Sequence, residues 1–164
     1  MSMQIREGGC ACNSVRYRIL GEPIMVHNCH CRLCQKQTGS TSVVNAFIET
    51  DNVTLLSGEL SQNMLLGGSG NPHTVFRCAA CGTAVWSHYP RFGSLLTGFR
   101  AGTLDDPDSV TPDVAIFTDY KMAWVSLPEN IPSFAESYDP AATLPAASMD
   151  RLAVLAEQRK AGEG

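Results

Sequence analysis

Seven cysteines carry the chemistry this chain can do, and their spacing sorts them into three groups. Cys29-His30-Cys31-Arg32-Leu33-Cys34 packs three sulfurs and an imidazole into one short run. Cys10 and Cys12 form a Cys-x-Cys pair, and Cys78 and Cys81 a Cys-x-x-Cys pair. An odd number of cysteines leaves one over in any disulfide framework, whereas close pairs have metal-ligand spacing. Structural zinc takes four ligands and favours thiolate sulfur. Cys10, Cys12, Cys78 and Cys81 make one such set, saturated, which would staple an N-terminal strand to a later part of a sheet. Cys29, Cys31 and Cys34 remain as three ligands, the number at which a catalytic zinc keeps one position open. Spacing leaves other arrangements standing: Cys29 and Cys31 could join Cys78 and Cys81, and His27 or His30 could close the trio. Along an extended chain, however, Cys29 and Cys31 share a face and His30 points away.

Three thiolates give a zinc ion a net charge near −1 and little Lewis acidity, so it is poor at making hydroxide from water. It suits a fourth soft ligand, a substrate thiol held deprotonated. A free thiol has a pKa of about 8.5 and is a few per cent thiolate at neutral pH. Full ionisation gains roughly thirtyfold, near 2 kcal/mol, part of it lost to reduced nucleophilicity. Any larger acceleration must come from positioning the electrophile. The chemistry indicated is addition of a thiol to a carbonyl, or its reverse. Arg32 and Lys36 are the nearby cations that could offset an anionic thiol such as glutathione; the competing reading is that they are solvated surface charges.

The rest of the chain bounds this reading. Its 164 residues suit one domain, expected at 1–135, with a C-terminal coil and short helix at 136–164. The formal net charge is −4 and no basic patch stands out, which argues against nucleic-acid and anionic-membrane partners. The start, Met1 to Glu7, lacks an apolar h-region, and no apolar run is long enough to span a bilayer. A cytoplasmic, soluble chain is expected, with an oligomer left open.

The elements that must position the cysteines read mostly as strands. Val15–Ile19, Ile24–Asn28, Ser42–Ile48, Val53–Leu56, Thr74–Arg77, Ala84–Ser87, Ser94–Phe99, Val114–Phe117 and Met122–Val125 have strand-like patterns. Glu7-Gly8-Gly9 reads as a flexible turn, Asn13 as a site of positive φ, and Gly82 as the curl of a knuckle. Gln35 to Gly39 reads as one helical turn closed by Gly39. Gly67 to Pro72 is a hairpin loop, since no Lys-Ser/Thr follows to complete a phosphate cradle. The acids of Asp105-Asp106-Pro107-Asp108 read as solvated. Pro128 to Pro145 reads as coil. Ser148 to Lys160 reads as a helix, with Met149, Leu152, Leu155 and Ala156 on one face and Ser148 as N-cap. Trp86 and Trp124 read as core, and His73 and His88 as surface or strand-end residues.

Taken together the motifs resemble the glutathione-dependent formaldehyde-activating enzyme family, which includes the centromere protein V domain. The stretches that carry the resemblance are Gly8-Gly9-Cys10-Ala11-Cys12-Asn13-Ser14-Val15-Arg16-Tyr17, Cys29-His30-Cys31-Arg32-Leu33-Cys34-Gln35-Lys36-Gln37-Thr38-Gly39, Cys78-Ala79-Ala80-Cys81-Gly82-Thr83 and Ala101-Gly102-Thr103-Leu104-Asp105-Asp106-Pro107. The likeness runs from about Gly8 to Phe134. It implies an all-β, tent-like fold of short antiparallel strands around two zinc ions. Cys10, Cys12, Cys78 and Cys81 would hold the structural ion, and Cys29, Cys31 and Cys34 the catalytic one. It implies a carbon–sulfur lyase that condenses glutathione with formaldehyde to S-hydroxymethylglutathione. Asn13 replaces the family's usual glycine, Arg77 a common aromatic, and Ala115 an expected histidine. The contrasting expectation is a non-catalytic zinc-binding protein or interaction module with the same fold.

Overall fold

The computed structural model describes residues 3–67 and 70–162, so Gly68 and Ser69 of the expected loop lie outside the described residues. The chain is mainly β, in two sheets. Strands β1 (Ile5–Gly9), β2 (Arg16–Leu20) and β5 (Val53–Ser57) pair antiparallel in the order β1-β2-β5. The larger sheet contains β3 (Met25–Cys29), β4 (Val43–Glu49), β6 (Leu60–Leu66), β7 (Pro72–Cys78), β8 (Ala84–His88), β9 (Leu96–Arg100) and β10 (Val114–Ile116). Its order is β10-β3-β4-β9-β8-β7-β6. Every pair is antiparallel except β10 on β3, which is parallel. That edge departs from the expected antiparallel pattern. The long connection between β9 and β10 is what allows it, since parallel neighbours need a crossover.

Alternation along the strands decides what each face does. Val26, Ala46, Ile48, Trp86 and Phe99 point from one face of the large sheet toward Tyr17 and Ile19 of the small sheet, forming the main core. The residues between them point the other way. Met25, Phe47 and Leu96 pack under helix α3 (Ala146–Lys160), against Leu152 and Leu155, with Leu144 from the end of α2 (Pro140–Thr143). With both faces covered, all five residues of β9 are buried.

The C-terminal helix has the expected apolar face: Leu152 and Leu155 are buried, and Met149 and Ala156 pack on the same cluster. Ser148 is not its N-cap. The helix begins after Pro145, and the Ser148 hydroxyl donates to the Ile24 carbonyl at 2.6 Å, tying α3 to the entry of β3. Arg151 donates to both oxygens of Glu49, at 2.7 and 2.5 Å, clamping the helix to β4.

Other expectations are corrected by tertiary context. Glu7-Gly8-Gly9 is the end of β1, not a flexible turn. A Cβ on Gly8 would lie 2.5 Å from the Thr103 carbonyl and 2.6 Å from the Tyr17 hydroxyl, so glycine there serves close approach. Met122–Val125 is a tight turn with Val125 N–H bonded to Met122 O, and Trp124 is 75% exposed, not core. The free edge of β10 is already taken by residues 132–134, through Ala115 N–H to Pro132 O and Phe134 N–H to Ala115 O. A strand at 122–125 therefore has no place on that edge. Trp86 is buried as expected.

Candidate metal centres and the cavity beside them

Cys10 and Cys12 sit on the turn between β1 and β2, which curls through Asn13 at φ 62. Cys78 ends β7, and Cys81 lies on the turn before β8, where Gly82 has φ +77. The register of the two sheets brings these turns together: the four sulfurs lie within 4.8 Å of one another. Cys10 and Cys12 Sγ are 3.5 Å apart, and Cys12 and Cys78 Sγ 3.9 Å. A tetrahedral ion with Zn–S bonds of about 2.3 Å would space its sulfurs by about 3.8 Å. All seven cysteines are free thiols, so this crowding is not disulfide bonding. Backbone N–H groups point at the sulfurs, from Val15 to Cys10 at 3.2 Å and from Cys81 to Cys78 at 3.5 Å. The Thr83 hydroxyl and N–H hold the Cys81 thiol down to about 5. The donor set fits a saturated metal site.

Cys29, Cys31 and Cys34 form the second cluster, again within 4.8 Å of one another. Cys29 ends β3, and Cys31 caps helix α1 (Arg32–Thr38), its sulfur accepting the Cys34 N–H at 3.4 Å. Because the cap lies at Cys31, α1 starts before Gln35 and makes two turns, not the single expected one; it ends at Gly39, φ 65. No fourth His, Cys, Asp or Glu joins this group among the described residues. His30 is not part of it: its ring is fully buried and its carbonyl accepts from Gln35 at 2.7 Å. Hydrogen bonds from Cys29 and Cys34 pull the Cys31 thiol down to about 2, and the same contacts push Cys29 up. Three thiolates this close repel one another, and a cation among them removes that conflict. The trio fits a soft ion with one position left over.

The trio opens into a cavity of ≈310 Å³. Its floor is one face of the large sheet. Cys29, His27 and Met25 follow one another along β3, paired with Val43, Asn45 and Phe47 of β4. Asn45 is in turn opposite Arg100 of β9. Arg100 is a buried cation held by two acceptors: Nη1 donates to Asn45 Oδ1 and Nη2 to Ser87 Oγ at 3.0 Å. Cys34 has a thiol that its bond with Cys29 lowers and its bond with Cys31, with burial, raises to about 11; the charge of Arg100 works downward. Burial likewise raises the Tyr89 phenol, against the same charge. Tyr89 stacks on His73 with ring centroids 4.8 Å apart. His27 donates to or accepts from the Tyr138 hydroxyl at 2.6 Å, and burial lowers it to about 4, so it is neutral through the physiological range.

Of the two readings of Arg32 and Lys36, a place at the site or solvated surface charge, the solvated surface one holds. Arg32 and Lys36 are exposed, and Arg32 is occupied with Gln35 Oε1 at 2.9 Å. Arg100 takes that place. Its signal was a lone arginine ending an otherwise uncharged strand buried on both faces, a setting in which charge is rarely left without a role. His73, expected at the surface or a strand end, stands near the start of β7 but is 6% exposed and lines the cavity, with the Tyr89 ring stacked on it. Asp105 is less free than expected: Arg16 grips it with both Nη atoms. Ala115 is not among the residues lining the cavity, and its backbone bonds Pro132 and Phe134.

Residues 5–120 match the sequence model of a family described as glutathione-dependent formaldehyde-activating enzyme. The chain belongs to that family. A Halomonas elongata relative provisionally named a glutathione-dependent formaldehyde-activating enzyme is 25% identical over 125 residues, covering 74% of this chain and 80% of the relative. A Rhodobacter sphaeroides protein of known crystal structure aligns at 16% identity with a TM-score of 0.48, covering 78% of this chain and 99% of that one. No helix among the described residues is long and apolar enough to cross a membrane.

Proposed function

We propose that the chain is a zinc-dependent carbon–sulfur lyase that adds a thiol, glutathione in the family's founding reaction, to a small aldehyde, or catalyses the reverse. The observation that carries this is the contrast between the clusters. The quartet has all four donors, while the trio, among the described residues, lacks a fourth donor and faces a cavity holding a buried arginine. On this reading Cys10, Cys12, Cys78 and Cys81 hold a structural zinc, and Cys29, Cys31 and Cys34 a catalytic one. When bound at the trio, zinc supplies a place for a substrate thiol in its deprotonated form. The protein then positions the carbonyl. As the C–S bond forms, the carbonyl π pair moves onto oxygen, and Arg100 is the buried donor available to that oxygen. Asn45 and Ser87 keep the guanidinium oriented, so no reorganisation is required as charge develops. The proton given up by the thiol ends on that oxygen, and the sum is thiol plus aldehyde to hemithioacetal. Met25, Phe47 and Phe92 keep bulk water from the reacting atoms. The domain at 1–135 carries both centres, and Ser137, Pro140 and Leu152 of the C-terminal part line the cavity.

Metal content and glutathione titration of the purified protein test this. Two zinc ions per chain are expected, falling to one in Cys31→Ser with thiol binding lost and the circular dichroism spectrum kept. Thiol binding that survives in Cys31→Ser would overturn the assignment.

A further inference from the structure

We propose that the carbonyl substrate is a straight-chain apolar aldehyde, not a one-carbon one; this deepens the thiol-addition reading and rests on it. The cavity has a polarity gradient set by strand register. At one end are the three sulfurs. In the middle, Asn45 and Arg100 stand opposite one another. At the far end Met25, Phe47 and Leu96 meet Phe92 and Leu152. Cys29 and Met25 lie four residues apart on β3, so the gradient extends over about 13 Å. Gly98, opposite Phe47, is part of the design: a Cβ there would meet the Phe47 ring at 2.8 Å and the Tyr89 ring at 3.2 Å. Its absence lets both aromatic rings settle on the floor.

A carbonyl carbon bonded to a sulfur at the trio places its oxygen toward the middle of this stripe, within the province of Arg100. Whatever the carbonyl carries beyond that carbon runs into the apolar end. Formaldehyde carries nothing there and would leave those walls facing water. The ≈310 Å³ volume takes about ten water-sized groups at roughly 30 Å³ each, which suits an aldehyde of about six to eight carbons beside the head of a thiol. Ser137, Pro140 and Leu152 also line the cavity, and all three lie beyond residues 5–120, the part that matches the family.

The test separates binding of the tail from the chemistry. Zinc-loaded full-length protein is titrated calorimetrically with straight-chain primary carboxamides from formamide to decanamide, which imitate the aldehyde and do not add thiols. Affinity is expected to rise three- to fourfold per methylene, the equivalent of about 0.8 kcal/mol each, and to level off near eight carbons. Met25→Trp should remove the gain for the longer members while leaving two zinc ions bound. If that variant does not fold, Leu152→Ala, which lengthens the apolar end, should move the plateau to longer chains. Affinity independent of chain length, or a plateau unmoved by either variant, would overturn the proposal. In parallel, the rate of hemithioacetal formation from glutathione is followed by NMR with hexanal and with formaldehyde, and a larger acceleration is expected for hexanal. Acceleration with formaldehyde alone, alongside flat carboxamide binding, overturns the apolar assignment and leaves the thiol-addition reading standing. Length-dependent binding without acceleration for any aldehyde overturns the thiol-addition reading, and the substrate assignment with it.

Discussion

Cys78→Ser and Cys31→Ser remove one sulfur each, yet they should differ in consequence by most of the stability of the domain. The quartet joins the turn between β1 and β2 to the turn between β7 and β8, and Cys12 and Cys78 are 66 residues apart in sequence. The trio closes only a short loop: Cys31 and Cys34 are separated by 3. Loop closure alone makes the long link worth about 2–3 kcal/mol more than the short one. On the proposed reading, the zinc ion itself matters more. A structural ion contributes roughly 10–16 kcal/mol in isolated peptides, against about 5–15 kcal/mol for a whole domain. At the quartet that energy is coupled to bringing two sheets together; at the trio it is coupled to little more than the start of α1. Cys78→Ser is therefore expected to be largely unfolded at ~25 °C, and Cys31→Ser to keep a cooperative transition within about 10 °C of the parent. Differential scanning calorimetry with parallel zinc analysis measures both. Equal loss of Tm in the two variants, or a Cys78→Ser protein that melts like the parent, would refute the division of labour.

Arg100→Met should lower turnover by about 10²–10³-fold, the usual effect of losing one oxyanion donor, while zinc content and thiol binding stay; loss of zinc in this variant would make Arg100 a structural residue. Burial raises the Glu49 carboxyl and the two bonds from Arg151 outweigh it, so its folded pKa lies below the ordinary value. The clamp on α3 is thus fully present above the ordinary carboxylate range and is lost as pH falls through the depressed value. With both side chains partly exposed this is worth no more than about 1 kcal/mol. Protection factors of the α3 amides, corrected for the intrinsic exchange rate, should fall below about pH 4 in the parent and already be lower near neutral pH in Arg151→Gln. Tyr17 donates to or accepts from Thr103 Oγ1 at 2.6 Å from a fully buried position. Tyr17→Phe should cost about 1 kcal/mol, read as a lower urea midpoint at unchanged slope.

What could be read from sequence and what could not follows one physical line. The cysteine groups are local signals: Cys-x-Cys on a turn, Cys-x-x-Cys on a knuckle, and a cap at Cys31 each depend on a few neighbouring residues. Asn13 and Gly82 adopt the positive φ that their types favour, for the same reason. The strands flanking them follow from alternation, and eight of the nine expected runs lie on strands. Met122–Val125 is the exception, because whether a short apolar run becomes a strand depends on a vacant edge beside it, and residues 132–134 fill that of β10. The strands not foreseen are β1 and β6. β1 ends in two glycines, and β6 has mixed polarity with a mostly exposed pattern, so neither shows a period of two.

The cavity was beyond local reasoning because its floor is assembled across strands. Cys29, Asn45, Arg100 and His73 come from β3, β4, β9 and β7, and only pairing register makes them neighbours. A shift of one residue between β4 and β9 would turn Arg100 into the main core and bring Phe99 to the sulfurs. The core itself forbids that slip: Phe99 and Ala46, directly paired, are both fully buried between the sheets. The apolar packing that stabilises the fold therefore also aims the arginine. This gives Phe99 an effect on chemistry it never touches. Phe99→Leu keeps an apolar residue of smaller volume at the register point, so it should lower Tm with little change in turnover per folded molecule. If turnover per folded molecule falls with Tm, Arg100 is oriented by something other than strand register, and the account of how the sheet positions the site is wrong.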